Sequence, residues 1–240
     1  MPETDFSPKV VLAIAAHPDD VDFGFSGSIA KWAKSGSKVY YLLITDGSKG
    51  TEDRTITAAT LIKKREAEQR VAAKLLGARD VFFLGYPDSE LEMSLALKKE
   101  VTRYIRKLKP DTVLGMDPSM IYSTSRGSGF INHSDHRVAG QVMLDAVFPL
   151  ARDHLTFPDL LAEGLEPHKV STVLMVNFEK NDFAVDISDT IDKKLEALAL
   201  HTSQMPDIDA VKDRIRSWSK IAGKKYGYDY AEAFVRLDLS

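Results

Sequence analysis

His17-Pro18-Asp19-Asp20 puts an imidazole and two carboxylates within four residues, and these are ligand types that a catalytic zinc accepts. Such a centre uses three protein ligands and keeps one position for water. Pro18 forces a turn that separates the directions of neighbouring side chains. Two of these residues can then bind a cation while the remaining carboxylate stays free as a base. The third ligand must come from elsewhere, and the other cluster of His and Asp is His133-Ser134-Asp135-His136. Three residues apart at the entry to a predicted helix, His133 and His136 reach one face and a common centre. One can bind metal while the other stays free. Alone, the first segment reads equally as a turn with a helix N-cap, and the second as a polar helix start. Their joint placement at the carboxyl ends of predicted strands favours a metal site.

Other chemistries are excluded. The chain has no cysteine, which removes disulfides, thiolate nucleophiles and Cys-ligated zinc. Gly47-Ser48-Lys49-Gly50 lacks the spacing of a phosphate-binding loop and reads as a plain loop, and no Gly-x-Gly-x-x-Gly follows the first strand. Gly24-Phe25-Ser26-Gly27-Ser28 misses the nucleophile-elbow pattern at its last position. A formal net charge of −3, with both signs interspersed, argues against a nucleic-acid partner, which needs a basic face. The apolar run 10–16 is too short for a bilayer span of roughly 20 residues. Glu3 and Asp5 stand where a signal peptide carries positive charge. These features point to a soluble, cytoplasmic protein with no membrane partner.

The elements that position these residues follow from hydrophobic periodicity. Residues 10–16 are apolar throughout, as in a parallel strand buried on both faces. A helix over 27–34 stops at Gly36, and a second buried strand spans 38–44. The alternation continues with a helix over 58–76 closed by Gly77, a strand over 81–84, a helix over 95–108 stopped by Pro110 and a strand over 112–116. The Ser/Gly-rich stretch 119–129 reads as a loop that walls or covers a site. A helix over 136–147, a strand over 170–177 and helices over 189–201 and 208–222 complete the pattern. Repeated β-α units predict an α/β fold, with a doubly wound, mostly parallel sheet and helices on both faces, in a single domain spanning 1–240.

In these residues the chain resembles the LmbE/PIG-L family of zinc-dependent N-acetylglucosaminyl deacetylases, a Rossmann-like fold. The resemblance rests on Ala16-His-Pro-Asp-Asp20, Thr45-Asp46-Gly47, Arg65-Glu66, Leu76-Gly77, Leu84-Gly85, the His133 and His136 pair, and His201 with Ser203-Gln204, in that order. It implies zinc ligation by His17, Asp20 and His136, with Asp19 as general base. It also implies that a protonated His133 stabilises the tetrahedral intermediate. Asp135, between the two histidines, would orient one of them. Arg65, Asp88 and Gln204 take the positions of substrate contacts, although Arg65 also reads as a solvated residue in the charged run 63–70. The expected substrate is a small N-acetylated sugar conjugate, from which acetate is released. An amidase acting on a thiol conjugate or another acylated amine, and an inactive carbohydrate- or metabolite-binding relative, are the alternatives. Iron(II) also accepts two histidines and a carboxylate, and a homo-oligomer is compatible with the resemblance. The chain departs from the family pattern at Val21-Asp22, where a Glu often follows the paired aspartates, and at Ile131, where some relatives carry Tyr. Tyr122 in the long loop is the candidate to replace that Tyr.

Overall fold

The computed structural model describes residues 6–124 and 129–240. The chain runs β1 (Val10–Ala15), α1 (Asp20–Gly24), α2 (Ser26–Lys34), β2 (Lys38–Thr45), α3 (Ala58–Leu76), β3 (Asp80–Tyr86), α4 (Leu95–Leu108) and β4 (Thr112–Met116). A two-stranded hairpin of β5 (Tyr122–Ser123) and β6 (Phe130–Ile131) leads into α5 (Ser134–Asp145), which continues into a wider turn, Ala146–Leu150. Then come α6 (Pro158–Ala162), β7 (Thr172–Val176), β8 (Phe183–Asp186), α7 (Ile191–Ala199), α8 (Ile208–Tyr226) and β9 (Ala231–Asp238).

Seven strands form one sheet in the order β3-β2-β1-β4-β7-β9-β8. The pairs from β3 to β7 are parallel, while β9 is antiparallel to both β7 and β8. Alternation along β1 shows why both faces must be covered. Val11, Ala13 and Ala15 point into a core with Ile29, Trp32, Ala72 and Leu198. Leu12 and Ile14 point into the opposite core with Leu97, Val101, Val142 and Met143. Strands buried on both sides need helices on both sides, so α2, α3 and α7 cover one face and α4 and α5 the other.

Local chemistry sets the helix ends. Thr57 caps α3 by accepting the Thr60 amide, and Ser94 caps α4 by accepting that of Leu97. At the far end of α3, Gly77 takes a positive φ of 86°, the left-handed stop that glycine adopts without a steric penalty.

The structure shifts the ends of several predicted elements and adds the short helices α1 and α6; the differences that matter most lie near the site and in the last strands. Helix α5 begins at Ser134 rather than 136, so His133 is its N-cap. The loop 119–129 contains β5, paired with β6, and its residues 125–128 lie outside those described. Strands β8 and β9 carry no sequence expectation; β8 is the edge strand and β9 lies between it and β7, and charged residues interrupt the apolar pattern of both.

Strand order reverses between β1 and β4: β2 and β3 lie on one side, β4 and β7 on the other. The carboxyl ends of β1 and β4 therefore open a crevice at the switch point, the usual ligand position in such sheets. His17–Asp20 follow β1 directly. His133 and His136 reach the same place because α5 packs against β4 at contact distance. A Cβ on Gly140 would collide with the Met116 carbonyl oxygen, so only glycine permits that approach.

Candidate metal centre and active site

Three ligand atoms converge in the crevice. His17 Nδ1 lies 3.2 Å from His136 Nε2. Asp20 Oδ1 lies 3.1 Å from His136 Nε2, and Asp20 Oδ2 3.5 Å from His17 Nδ1. Tetrahedral zinc with bonds of about 2.0–2.1 Å needs donors roughly 3.3 Å apart, close to each of these separations, with a different Asp20 oxygen facing each histidine. The donor set, two imidazoles and a carboxylate, fits zinc, and also iron(II).

Each ligand is fixed from behind. The His17 backbone amide donates to Asp20 Oδ2 at 2.8 Å. His17 turns Nε2 away from the triad toward Asp135 Oδ2 and Asp88 Oδ1, each at 3.2 Å. His136 Nδ1 meets Asn132 Oδ1 at 3.0 Å. These partners place the N–H on the outward nitrogen of each ring and leave the inward nitrogen free to bind a cation. The Asp135 carboxylate, expected to orient one of its neighbouring histidines, meets His17, 118 residues away, while its backbone amide donates to the neighbouring His133 Nδ1. Its carboxylate also accepts the Ser89 amide at 2.7 Å.

Charge points the same way. Burial opposes protonation of His17, yet Asp135, Asp20 and Asp88 outweigh it and push the imidazole up to about 12. His136 is raised too, against burial, by Asp20. Burial works against ionised Asp20 and Asp88, but their histidine contacts overcome it and lower both carboxyls. Carboxylates here outnumber the fixed cations, and a divalent ion competes for the same nitrogens, releasing protons as it binds. His17, Asp88, His133 and Asp135 form a second cluster. There His133 Nδ1 already accepts the Asp135 amide at 3.1 Å, and Asp135 already accepts from Ser89. That cluster backs the centre rather than duplicating it.

Asp19 sits apart from the triad. Its φ is +100°, a conformation that costs a non-glycine residue about 1–3 kcal/mol and persists only where the surroundings impose it. Arg65, on α3, donates to Pro18 O at 2.7 Å, to Asp19 Oδ1 at 3.3 Å and to Gly47 O at 2.9 Å. It is 3% exposed, so it is a buried clamp and not the solvated residue of a charged run. Gly47 makes room for it: at φ +62°, a Cβ there would meet the guanidinium at 2.8 Å. The loop after β2, which reads as plain in sequence, is thus one wall of the site. Burial raises the Asp19 carboxyl to about 6, with Arg65 pulling the other way.

The pocket, of about 320 Å³, is lined by Asp19 and the triad together with Lys49, Gly50, Arg65, Asp88, Ser89, His133 and Gln204. Every site residue expected from the sequence therefore lines it except Asp135, which is fully buried behind His17. Gln204 donates to Gly50 O at 2.9 Å across the rim. Tyr122 does not line the pocket; it is 68% exposed on β5. Sequence reasoning missed Asn132, Ser89 and Gln69, although Gln69 lies one helical turn beyond Arg65, a spacing that puts both on one face of α3. A larger cavity of about 600 Å³ lies between α8 and β9. No histidine lines it, and its buried Lys194 and Glu232 are paired with each other at 2.5 Å.

A two-histidine, one-carboxylate centre beside a free carboxylate, at the switch point of a doubly wound sheet, defines a metal-dependent hydrolase architecture. Residues 12–147 match the profile of the GlcNAc-PI de-N-acetylase family, PIG-L. The chain is 36% identical to a diacetylchitobiose deacetylase of Thermococcus kodakarensis over 93% of its own length and 81% of the relative's. It is 26% identical to a probable N-acetyl-alpha-D-glucosaminyl L-malate deacetylase of Bacillus anthracis, over 81% and 80%. The structure of N,N'-diacetylchitobiose deacetylase from Pyrococcus horikoshii superposes with a TM-score of 0.88 at 32% identity, covering 96% of this chain and 84% of that one. The chain belongs to the PIG-L/LmbE family of metal-dependent N-deacetylases.

Proposed function

We propose that this protein removes the acetyl group from an N-acetylglucosamine-containing small molecule, with zinc held by His17, Asp20 and His136. The observation that carries the reading is the convergence of those ligand atoms beside Asp19, a carboxylate left free of the triad. Relatives named for diacetylchitobiose and for N-acetylglucosaminyl malate support the substrate class.

Zinc in such a centre lowers the pKa of water from about 15.7 to about 7 and polarises a carbonyl. The chain's own residues do the rest. Asp19 accepts the proton that the attacking water gives up, and a carboxylate raised toward neutrality is suited to returning it. It hands that proton to the amide nitrogen as the C–N bond breaks, so acetate and a free amine leave. His133 donates to the carbonyl oxygen as negative charge builds there. Because its Nδ1 accepts the Asp135 amide, the proton it offers is on Nε2. Burial lowers its pKa, as does the His17 charge when no cation is bound, which together with the bond to Nδ1 favours a neutral donor over the imidazolium that the resemblance implies. Arg65 aims Asp19, and Asp88 and Asp135 hold His17. Lys49 and Gln204 line the pocket, and this reading gives them the contacts with the sugar.

Metal analysis coupled to acetate release from a panel of N-acetylglucosaminides tests this reading. We expect one zinc per chain and release from at least one member. Failure across the whole panel by zinc-loaded protein overturns the reading, and a preference for another acyl group turns it into a broader amidase.

A further inference from the structure

We propose that Gln69 is a positioning residue for the reaction, holding Asp19 in the left-handed turn that aims its carboxylate. This rests on the role proposed for Asp19 above. Gln69 is fully buried on α3, and its amide faces two ways. Its Oε1 accepts the Asp19 backbone N–H at 2.8 Å. Its Nε2 donates to Asp22 Oδ2 at 2.7 Å. Asp22 Oδ2 also meets His201 Nε2 at 2.8 Å, and both Asp22 and His201 are fully buried.

The chain Asp19–Gln69–Asp22–His201 thus links the strained turn to the carboxyl end of α7. An amide can do this because it carries an acceptor and a donor on one planar group. With Asp22 requiring a donor, the Gln69 side chain cannot flip without placing oxygen against oxygen. Its carbonyl is thereby locked toward Asp19. Asp22 occupies the stretch where the family commonly has Glu, so the departure noted in the sequence becomes the anchor of this lock. Arg65 holds the same turn from one helical turn away, but through the Pro18 carbonyl and the Asp19 carboxylate. Gln69 instead holds the peptide N–H, whose direction changes most when φ crosses from positive to negative.

The test compares the zinc-loaded parent, Gln69→Met, and the double variant Gln69→Glu with Asp22→Asn. Methionine keeps volume and removes both hydrogen bonds. The double variant reverses the polarity of the second bond. Its new carboxylate accepts from the Asp19 N–H and from the amide that Asp22→Asn introduces, and the other hydrogen of that amide goes to His201 Nε2, which the Asp22 carboxylate no longer holds protonated. We expect kcat of Gln69→Met to fall about 10–100-fold, the scale of an ångström-level misplacement. KM should stay within about threefold, since ground-state binding is untouched, and zinc content should equal the parent's. A crystal structure of Gln69→Met should show Asp19 with negative φ, a readout that needs no activity. The double variant should regain most of the lost kcat.

Unchanged kcat in Gln69→Met, a φ that stays positive there, or a loss that the double variant does not recover would each overturn the proposal. If Gln69→Met does not fold, the double variant still decides: near-parental kcat with positive φ supports the lock, and a folded double variant without activity sinks it. Absence of acetate release by the parent falls on the functional reading instead, and leaves the φ measurement to judge the lock.

Discussion

The two halves of the centre are built on opposite principles. His17 to Asp20 form a turn held in an unfavourable backbone conformation by side chains from α3 and from the loop after β3. His133 to His136 form the first turn of an ordinary helix, whose position follows from main-chain bonds and the hairpin before it. Exposure differs accordingly: the His17 side chain is 9% exposed and that of His133 40%. In the proposed mechanism, proton transfer thus falls to the half whose geometry is imposed from outside, and donation to the substrate to the half whose geometry is intrinsic.

The largest effect should come from the imposed half. Asp19→Asn tolerates the same φ but cannot take a proton, and kcat should drop toward the upper end of about 10²–10⁴-fold. Zinc content should be unchanged; a variant retaining a tenth of parental kcat would break the assignment of proton transfer to this turn. On the intrinsic side, His133→Ala should lose about 10²–10³-fold in kcat, the usual cost of one donor to a developing oxyanion. A change in KM alone would recast it as a binding residue.

Asn132→Ala probes how the intrinsic half is secured. Without its acceptor for His136 Nδ1–H, metal affinity should weaken about 10–100-fold, read by chelator competition, with kcat restored at saturating zinc. Unaltered affinity would mean that the helix alone suffices. The mildest expected effect is a shift in pH dependence. As the proposed base, Asp19 acts in its ionised form, so kcat/KM should rise with pH through about 6. Arg65 lowers that carboxyl, so Arg65→Met should move the acid limb to higher pH. A limb that stays in place would show that Arg65 does not govern Asp19 electrostatically.

The same contrast explains what the sequence makes legible. Strands β1, β2 and β4 are buried on both faces and announce themselves as unbroken apolar runs, while α3 and α4 carry their caps and stops beside them. Strand β9 does not, because Glu232 is buried only through Lys194, Gly27 and Ser28, partners far away in the chain. Helix α1 has five residues, too few to show a period. The ligand candidates were visible because they cluster in two short segments. The contacts of Asp135 with His17 and of Gln69 with Asp19 span 118 and 50 residues, and no local pattern encodes them. The charged run around Arg65 conceals a buried residue for the same reason: only the glycines at 47 and 50 make room for its guanidinium.

Gly140 carries a kinetic consequence. One missing methyl group lets α5 rest on the Met116 carbonyl and Pro118, leaving the second half of the centre no slack against the sheet. A helix seated so closely has no easy hinge by which to lift alone. Movement of α5 as a body is then tied to the opening of β4, and central strands are among the last segments of a domain to exchange their amides. The seat of His133 and His136 should accordingly follow the slow clock of global opening rather than the fast one of loop motion, read as late amide exchange in α5 and set by a glycine that supplies no ligand.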